Sequence, residues 1–184
     1  VRDAMADSVP MIVICGQVNR SSIGSDAFQE APITSVMGSV AKHVFLVTDE
    51  DKLAATIRAA FEISTSGRPG PVVVDIPKDI QTASIDFDTS STLNINAYRE
   101  RVQSIVNNRL SDEDCARFFD YLKTSSRPLI YSGGGTIAAD AAEELRKFSA
   151  RLQLPVTTTL MGIGAIDTQS ELSLQMLGMH GTAF

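Results

Sequence analysis

At 184 residues the chain has room for one large or two small domains, and 43% hydrophobic with 21% charged residues describes a folded globular protein, not a disordered one. Its 22 acidic against 16 basic residues leave a net charge of −6 with no Lys/Arg cluster, which argues against a nucleic-acid partner. The longest purely apolar run, Met11 to Cys15, is far too short to cross a bilayer.

Cys15 and Cys115 stand alone, without a CxxC spacing or a nearby His. They are expected as reduced, partly buried thiols of a cytosolic protein, neither metal ligands nor a disulfide. With no Trp, an aromatic stacking platform is not expected. The chain starts at Val1 without a signal-peptide core and stops at HGTAF straight after an apolar segment, so it is expected to be an internal piece of a longer polypeptide.

Pro10 precedes the run Met11–Cys15, which fits a strand buried on both faces. The polar stretch GQVNRSSIGSDAFQEAP follows, with Asp26 a candidate cap for a short helical turn. A loop of that length exceeds what a connection needs, and long loops in compact domains are often functional. His43–Val47 reads as a second strand. Asp49–Ser66 reads as a helix capped by Asp49 and closed by Gly67, with Leu53, Ile57, Ala60, Phe61 and Ser64 on its inner face. Pro71–Ile76 is a buried strand, and strand, helix, strand without hairpin signals predicts a parallel sheet.

From Lys78 to about Asn107 the pattern dissolves into Ser, Thr, Asp and Asn with scattered apolar residues, the composition of an interdomain linker pinned by Ile85, Phe87 and Leu93. Ser111 then caps a helix whose Cys115, Phe118, Phe119 and Leu122 are expected to face inward. Leu129–Tyr131 predicts a strand, Gly133–Gly135 a turn, Thr136 onward a helix, and Pro155 a further strand ending at Gly162. The fold class is therefore α/β, two parallel-sheet three-layer domains, with 1–80, a linker at 81–108, and 109–184.

Two features exceed what a scaffold needs. The first is the GSDAFQEAP loop, with Gln29 able to donate and accept, and with Arg68 and Lys78 at strand ends as anion partners. Solvated loop charges are the commoner fate of such residues. The second is a set of glycine-rich segments after predicted strands: Gly133–Gly135, Thr159–Gly162 and Leu177–Gly181. Bare main chain and a helix N-terminus there suit a phosphate, and the three could wrap one extended cofactor, although a tight turn in a doubly wound sheet reads equally well. The triplet does not match G-x-G-x-x-G. His43 and His180 lack carboxylate or Cys neighbours in sequence, so no metal site is expected, and no catalytic acid, base or nucleophile stands out.

GQVNRSSIGSDAFQEAP, KHVFLV, GRPGPVVVDIPKDIQ, PVTTTLMGIGAI and LGMHGTAF, in that order, resemble the large catalytic subunit of the acetolactate (acetohydroxyacid) synthase family. The resemblance covers nearly the whole chain. It implies the C-terminal half of a pyrimidine-binding domain up to about residue 80, then the first part of a Rossmann-like, FAD-binding central domain. Such enzymes decarboxylate pyruvate on thiamine diphosphate with Mg2+ and condense the remaining unit with a second 2-oxoacid, holding FAD without net redox turnover. By motif, Gln29 lies beside the thiamine, with Phe28 and Lys78 lining the substrate channel. The resemblance also gives Arg68, Gly133, Gly134, Gly135, Thr159, Leu160, Met161, Leu177, Gly178, Met179 and His180 to FAD. It further implies a homodimer or higher oligomer, with a regulatory subunit as a further partner.

Asn19 departs from the family's GQVP pattern at the channel mouth. The ylide-activating Glu and the Mg2+/diphosphate domain lie outside these residues, so the piece is expected to be inactive by itself. The rivals are another thiamine-dependent enzyme, of the glyoxylate carboligase or pyruvate oxidase type, and a non-catalytic nucleotide-binding module.

Overall fold

The computed structural model describes residues 1–108 and 110–181. Arg109, at the expected domain boundary, and the last three residues of LGMHGTAF lie outside the described residues. The chain divides into two compact units, Val1–Arg109 and Leu110–Phe184. Each carries a three-stranded parallel sheet with flanking helices, the α/β architecture expected.

In the first unit β1 (Met11–Gln17), β2 (His43–Leu46) and β3 (Pro71–Pro77) run parallel in the order β1-β3-β2. PVVVDIP takes the centre and is buried at every position, as a continuous apolar run demands. Asp49 accepts a bond from Asp51 N at 3.1 Å and caps a short 3-10 turn that leads into α3 (Leu53–Thr65). Val72, Val74 and Ile76 meet Ala60 and Ile63 of this helix in one core. Val72, Val73 and Val74 are 0% exposed, and burying a valine side chain contributes about 1.5–3 kcal/mol.

Three local expectations shift. On α3 the expected Leu53, Ile57, Ala60 and Ser64 do turn inward, joined by Ala55, Thr56, Ala59 and Ile63, while Phe61 is 58% exposed. Small side chains let the helix approach the valine-rich strand closely, which a count of large apolar residues misses. Asp26 caps no helix: it lies in a turn at φ +56, and α2 (Ile33–Gly38) begins only later. The stretch read as a linker contains α4 (Lys78–Gln81) and α5 (Asn96–Asn107). Ile95 and Tyr98 pack on the core, and Tyr98 Oη sits 3.2 Å from the carbonyl oxygens of both Ile63 and Ser66. Leu93 is half-buried as expected, but Phe87 is exposed and pins nothing. A short α1 (Arg2–Ala6) precedes β1.

In the second unit α6 (Asp112–Thr124) opens on a capping box between Ser111 and Asp114. The strands β4 (Ile130–Ser132), β5 (Val156–Thr158) and β6 (Ser173–Met176) follow in that spatial order. The single helix expected from Thr136 is two, α7 (Gly134–Ala138) and α8 (Ala142–Leu152), broken where Asp140 takes φ +53. A short polar side chain tolerates that conformation. Cys115, Phe118 and Phe119 are exposed, against expectation, although the Phe118 ring still lies 6.1 Å, centroid to centroid, from that of Phe148 on α8. Arg146 reaches back to the carbonyl oxygens of Ala165 (3.1 Å) and Gly164 (2.9 Å).

Candidate functional site

Open parallel sheets leave a crevice outside the carboxyl ends of their strands. In the first unit β1 and β3 end there at Gln17 and Pro77, and the long loop 18–32 leaves from β1. A cleft of about 450 Å³ is lined by Gln17, Asn19, Phe28, Gln29 and Lys78, among others. The three residues expected in the substrate channel therefore meet in one place, with Asn19 beside them. Phe28 is 91% exposed. Gln29 has φ +66, a left-handed conformation that costs a residue other than glycine about 1–3 kcal/mol and persists only where its surroundings impose it.

Glu30 supplies part of that imposition. Its carboxylate accepts from Gly24 N at 2.5 Å and Ala27 N at 3.0 Å, folding the loop on itself. Those backbone donors hold the Glu30 carboxyl below its ordinary range. Arg20 fastens the start of the loop. Its Nε lies 2.6 Å from Asp79 Oδ2, and one terminal nitrogen donates to Glu50 and to the Thr48 carbonyl, both at 2.8 Å. Arg20 was not legible as a loop-builder, because its partners are remote in sequence.

Beneath the loop sits Asp75 of β3, 1% exposed. Its Oδ2 accepts from Gln17 Nε2 at 3.1 Å, while Oδ1 has no hydrogen-bond partner among the described residues. Burial pushes the carboxyl above its usual range, with the Gln17 bond acting against that. Cys15, its register partner on β1, is likewise raised, first by burial and then by the Asp75 charge. His43 is lowered by burial, and its ring packs edge-on against Phe45 at 4.4 Å.

Arg68 is exposed, and its hydrogen bonds in this structure go to neighbouring main chain and Ser8. Its guanidinium donates to Ser8 Oγ (2.8 Å) and to the carbonyl oxygens of Ala6 (2.9 Å) and Met5 (3.2 Å), holding α1 at its C-terminal end.

In the second unit the three glycine-rich segments follow the carboxyl ends of β4, β5 and β6. Two of them meet. A Cβ on Gly134 would lie 2.8 Å from the Met161 Cβ, and one on Gly162 would run into the Ser132 carbonyl oxygen. Close chain packing therefore explains these two glycines before any ligand does. Gly133 and Gly135 are different. A Cβ at Gly133 meets only Thr159, at 3.8 Å and beyond, and one at Gly135 meets nothing within 4 Å. The Thr159 side chain caps the turn through Gly162 N at 3.2 Å. Leu160, Met161, Leu177 and Met179 are exposed, and Gly178 turns the chain at φ +101. A separate cavity of about 280 Å³ is lined by Thr158, Ile163, Ile166, Met176 and His180, among others. Of the eleven residues assigned to FAD, His180 alone lines it.

Residues 115–184 match the family model described as the thiamine pyrophosphate enzyme central domain. Across 99% of its length the chain is 43% identical to "Acetolactate synthase 2, chloroplastic" of Nicotiana tabacum. Across all of it the chain is 42% identical to "Acetolactate synthase, mitochondrial" of Schizosaccharomyces pombe and to "Acetolactate synthase large subunit" of Parasynechococcus marenigrum. The chain is a relative of the acetolactate synthases. It spans 26% of the length of the tobacco protein, 28% of the fission-yeast protein and 29% of the cyanobacterial one. The similarity to acetolactate synthase covers both units, and the central-domain match begins inside α6 and covers the second alone. Among the described residues no helix is long and apolar enough to cross a membrane.

Proposed function

We propose that the polypeptide carrying these residues is a thiamine-diphosphate-dependent acetolactate synthase that condenses pyruvate with a second 2-oxoacid after decarboxylation. The observation that carries this reading is identity of 42–43% to acetolactate synthases over at least 99% of the chain. The meeting of Phe28, Gln29 and Lys78 in one cleft supports it. In this reading thiamine diphosphate would supply the chemistry of decarboxylation and two-carbon transfer. The chain's own residues receive the substrate. The Lys78 ammonium pairs with a 2-oxoacid carboxylate, Gln29 donates to and accepts from polar groups, and Phe28 offers an apolar ring to the substrate.

FAD fits the second unit in part. Bare main chain at Gly133 and Gly135 admits phosphates, and the 280 Å³ cavity, just under the usual range of about 300–1,000 Å³, takes one end of an extended ligand. Thr159, Leu160, Met161 and the 177–180 turn would hold the remainder. FAD would serve there as a bound structural group without net redox turnover. Arg68, occupied by α1, would have to exchange those bonds to reach a phosphate. No group of three His, Cys, Asp or Glu side chains among the described residues could hold Mg2+. Lone, unpaired Cys15 and Cys115 are consistent with a reducing, cytoplasmic setting. Assembly as a homodimer or larger, with or without a regulatory subunit, belongs to the same reading.

The test uses the complete polypeptide, since the 184 residues alone are expected to be inactive. With thiamine diphosphate, Mg2+, FAD and pyruvate, acetolactate should accumulate. Glyoxylate consumption without acetolactate, or oxygen-dependent pyruvate oxidation, would replace the reading with one of its rivals. No thiamine-dependent turnover of any 2-oxoacid would remove it.

A further inference from the structure

The loop 18–32 starts and ends on one side chain. Gln17 Oε1 accepts from Val18 N at 2.9 Å, where the loop leaves β1. Gln17 Nε2 donates to the Ala31 carbonyl oxygen at 2.7 Å, where the loop returns. The second Nε2 hydrogen goes to Asp75 Oδ2 at 3.1 Å. A carboxamide has one orientation in which all three bonds are made, and only Asp75 sits on the rigid centre of the sheet. Asp75 is also an unusual choice there. A carboxyl group 1% exposed, with no cation bonded to it and one oxygen unpartnered among the described residues, is costly in a strand whose other residues are Pro, Val and Ile. The apolar alternative would pack as well and leave the carboxamide free to turn.

We propose that Asp75, acting through the Gln17 carboxamide, is the positioning residue for the loop that presents Phe28 and Gln29 to the cleft. Asp75 touches no cleft ligand itself. Its role is to fix which way the amide points, so that the Ala31 carbonyl keeps its donor and the left-handed turn at Gln29 stays closed. The placement of loop and cleft is geometric. The consequence for turnover rests on the acetolactate synthase reading, so the test has a readout that does not need activity.

Hydrogen–deuterium exchange is measured on the complete polypeptide and on Asp75→Val, Asp75→Asn and Gln17→Leu, with pyruvate kinetics alongside. Asp75→Val and Gln17→Leu should speed exchange across 18–32 by about fivefold, the change in an opening equilibrium that one ordinary hydrogen bond produces. Exchange in α3 and β3 should stay within about twofold. Asp75→Asn keeps an acceptor for Gln17 and should restore slow exchange. Where turnover is present, the two disruptive variants should raise KM more than they lower kcat. Unchanged exchange over 18–32 in Gln17→Leu would overturn the proposal, and so would a rise in Asp75→Asn equal to that in Asp75→Val. If Asp75→Val loosens the whole unit, Gln17→Leu, at the half-exposed end of β1, decides alone. An absence of turnover with a loop-confined rise would leave this proposal standing and count against the function proposed above.

Discussion

Arg20 and Asp79 join the start of the 18–32 loop to the chain just past β3. The guanidinium Nε lies 2.6 Å from Asp79 Oδ2, and Arg20 N donates to Oδ1 at 3.0 Å. The guanidinium thus holds the Asp79 carboxyl below its ordinary range. The folded pKa is depressed, so this contribution is present above the unfolded value of about 3.9 and is lost as pH falls through the folded one. Replacing Asp79 by Asn should therefore lower Tm slightly at neutral pH, since both side chains are partly exposed, and leave it unchanged at acid pH, which reduces the acid slope by the same small amount. A Tm profile that keeps its full acid slope in Asp79→Asn would contradict this.

Asp75 carries the opposite sign. Burial raises its folded pKa, so the folded state holds a proton that the unfolded chain has released. Stability from this group is complete below about pH 3.9 and falls as pH rises through the folded pKa. Wild type should lose stability over that window relative to Asp75→Asn, which cannot ionise. Parallel curves for the two, measured by thermal denaturation from acid to neutral pH, would show that Asp75 is ionised at no extra cost.

The glycines of the second unit divide by what a Cβ would meet. Gly162→Ala must move the Ser132–Gly133 backbone and should destabilise by about 1–3 kcal/mol, as overpacking does. Gly135→Ala sits in α7 with open space around it and should stabilise by about 0.5–1 kcal/mol. Chemical denaturation of both variants checks the contrast, and equal effects would refute it.

Phe61 and Ile63 make a similar pair two residues apart on α3. Ile63→Ala should cost about 2–5 kcal/mol, because Ile63 is 2% exposed in the core. Phe61→Ala, at 58% exposure, should fall within about 0.5 kcal/mol.

Those two residues also illustrate what the sequence could and could not convey. Apolar runs opened by proline located β1, β3, β4 and β5, although only β3 and β5 are buried throughout: Ile14 of β1 and Tyr131 of β4 are exposed. A strand ahead of Leu177 was expected but its bounds could not be read: Ser173–Met176 alternates weakly and pairs with β5 through a register shift. Which side of α3 faces inward depended on how close the sheet lets the helix come, a tertiary quantity. At the cleft, Phe28, Gln29 and Lys78 could be named from motif. The loop's fastening could not, since Arg20 meets Asp79 across 59 residues and Gln17 meets Asp75 across 58. Gly134 looked like a phosphate contact in one dimension and is first a packing contact with Met161 in three.

The central claim is that the cleft at the carboxyl ends of β1 and β3 receives a 2-oxoacid, and kcat/KM for pyruvate in Gln29→Ala tests it most directly. In the complete polypeptide the variant should fall at least about tenfold below wild type, roughly 1.4 kcal/mol of transition-state stabilisation, with Tm unchanged. Turnover within about twofold of wild type, at full thiamine diphosphate occupancy, would contradict the assignment.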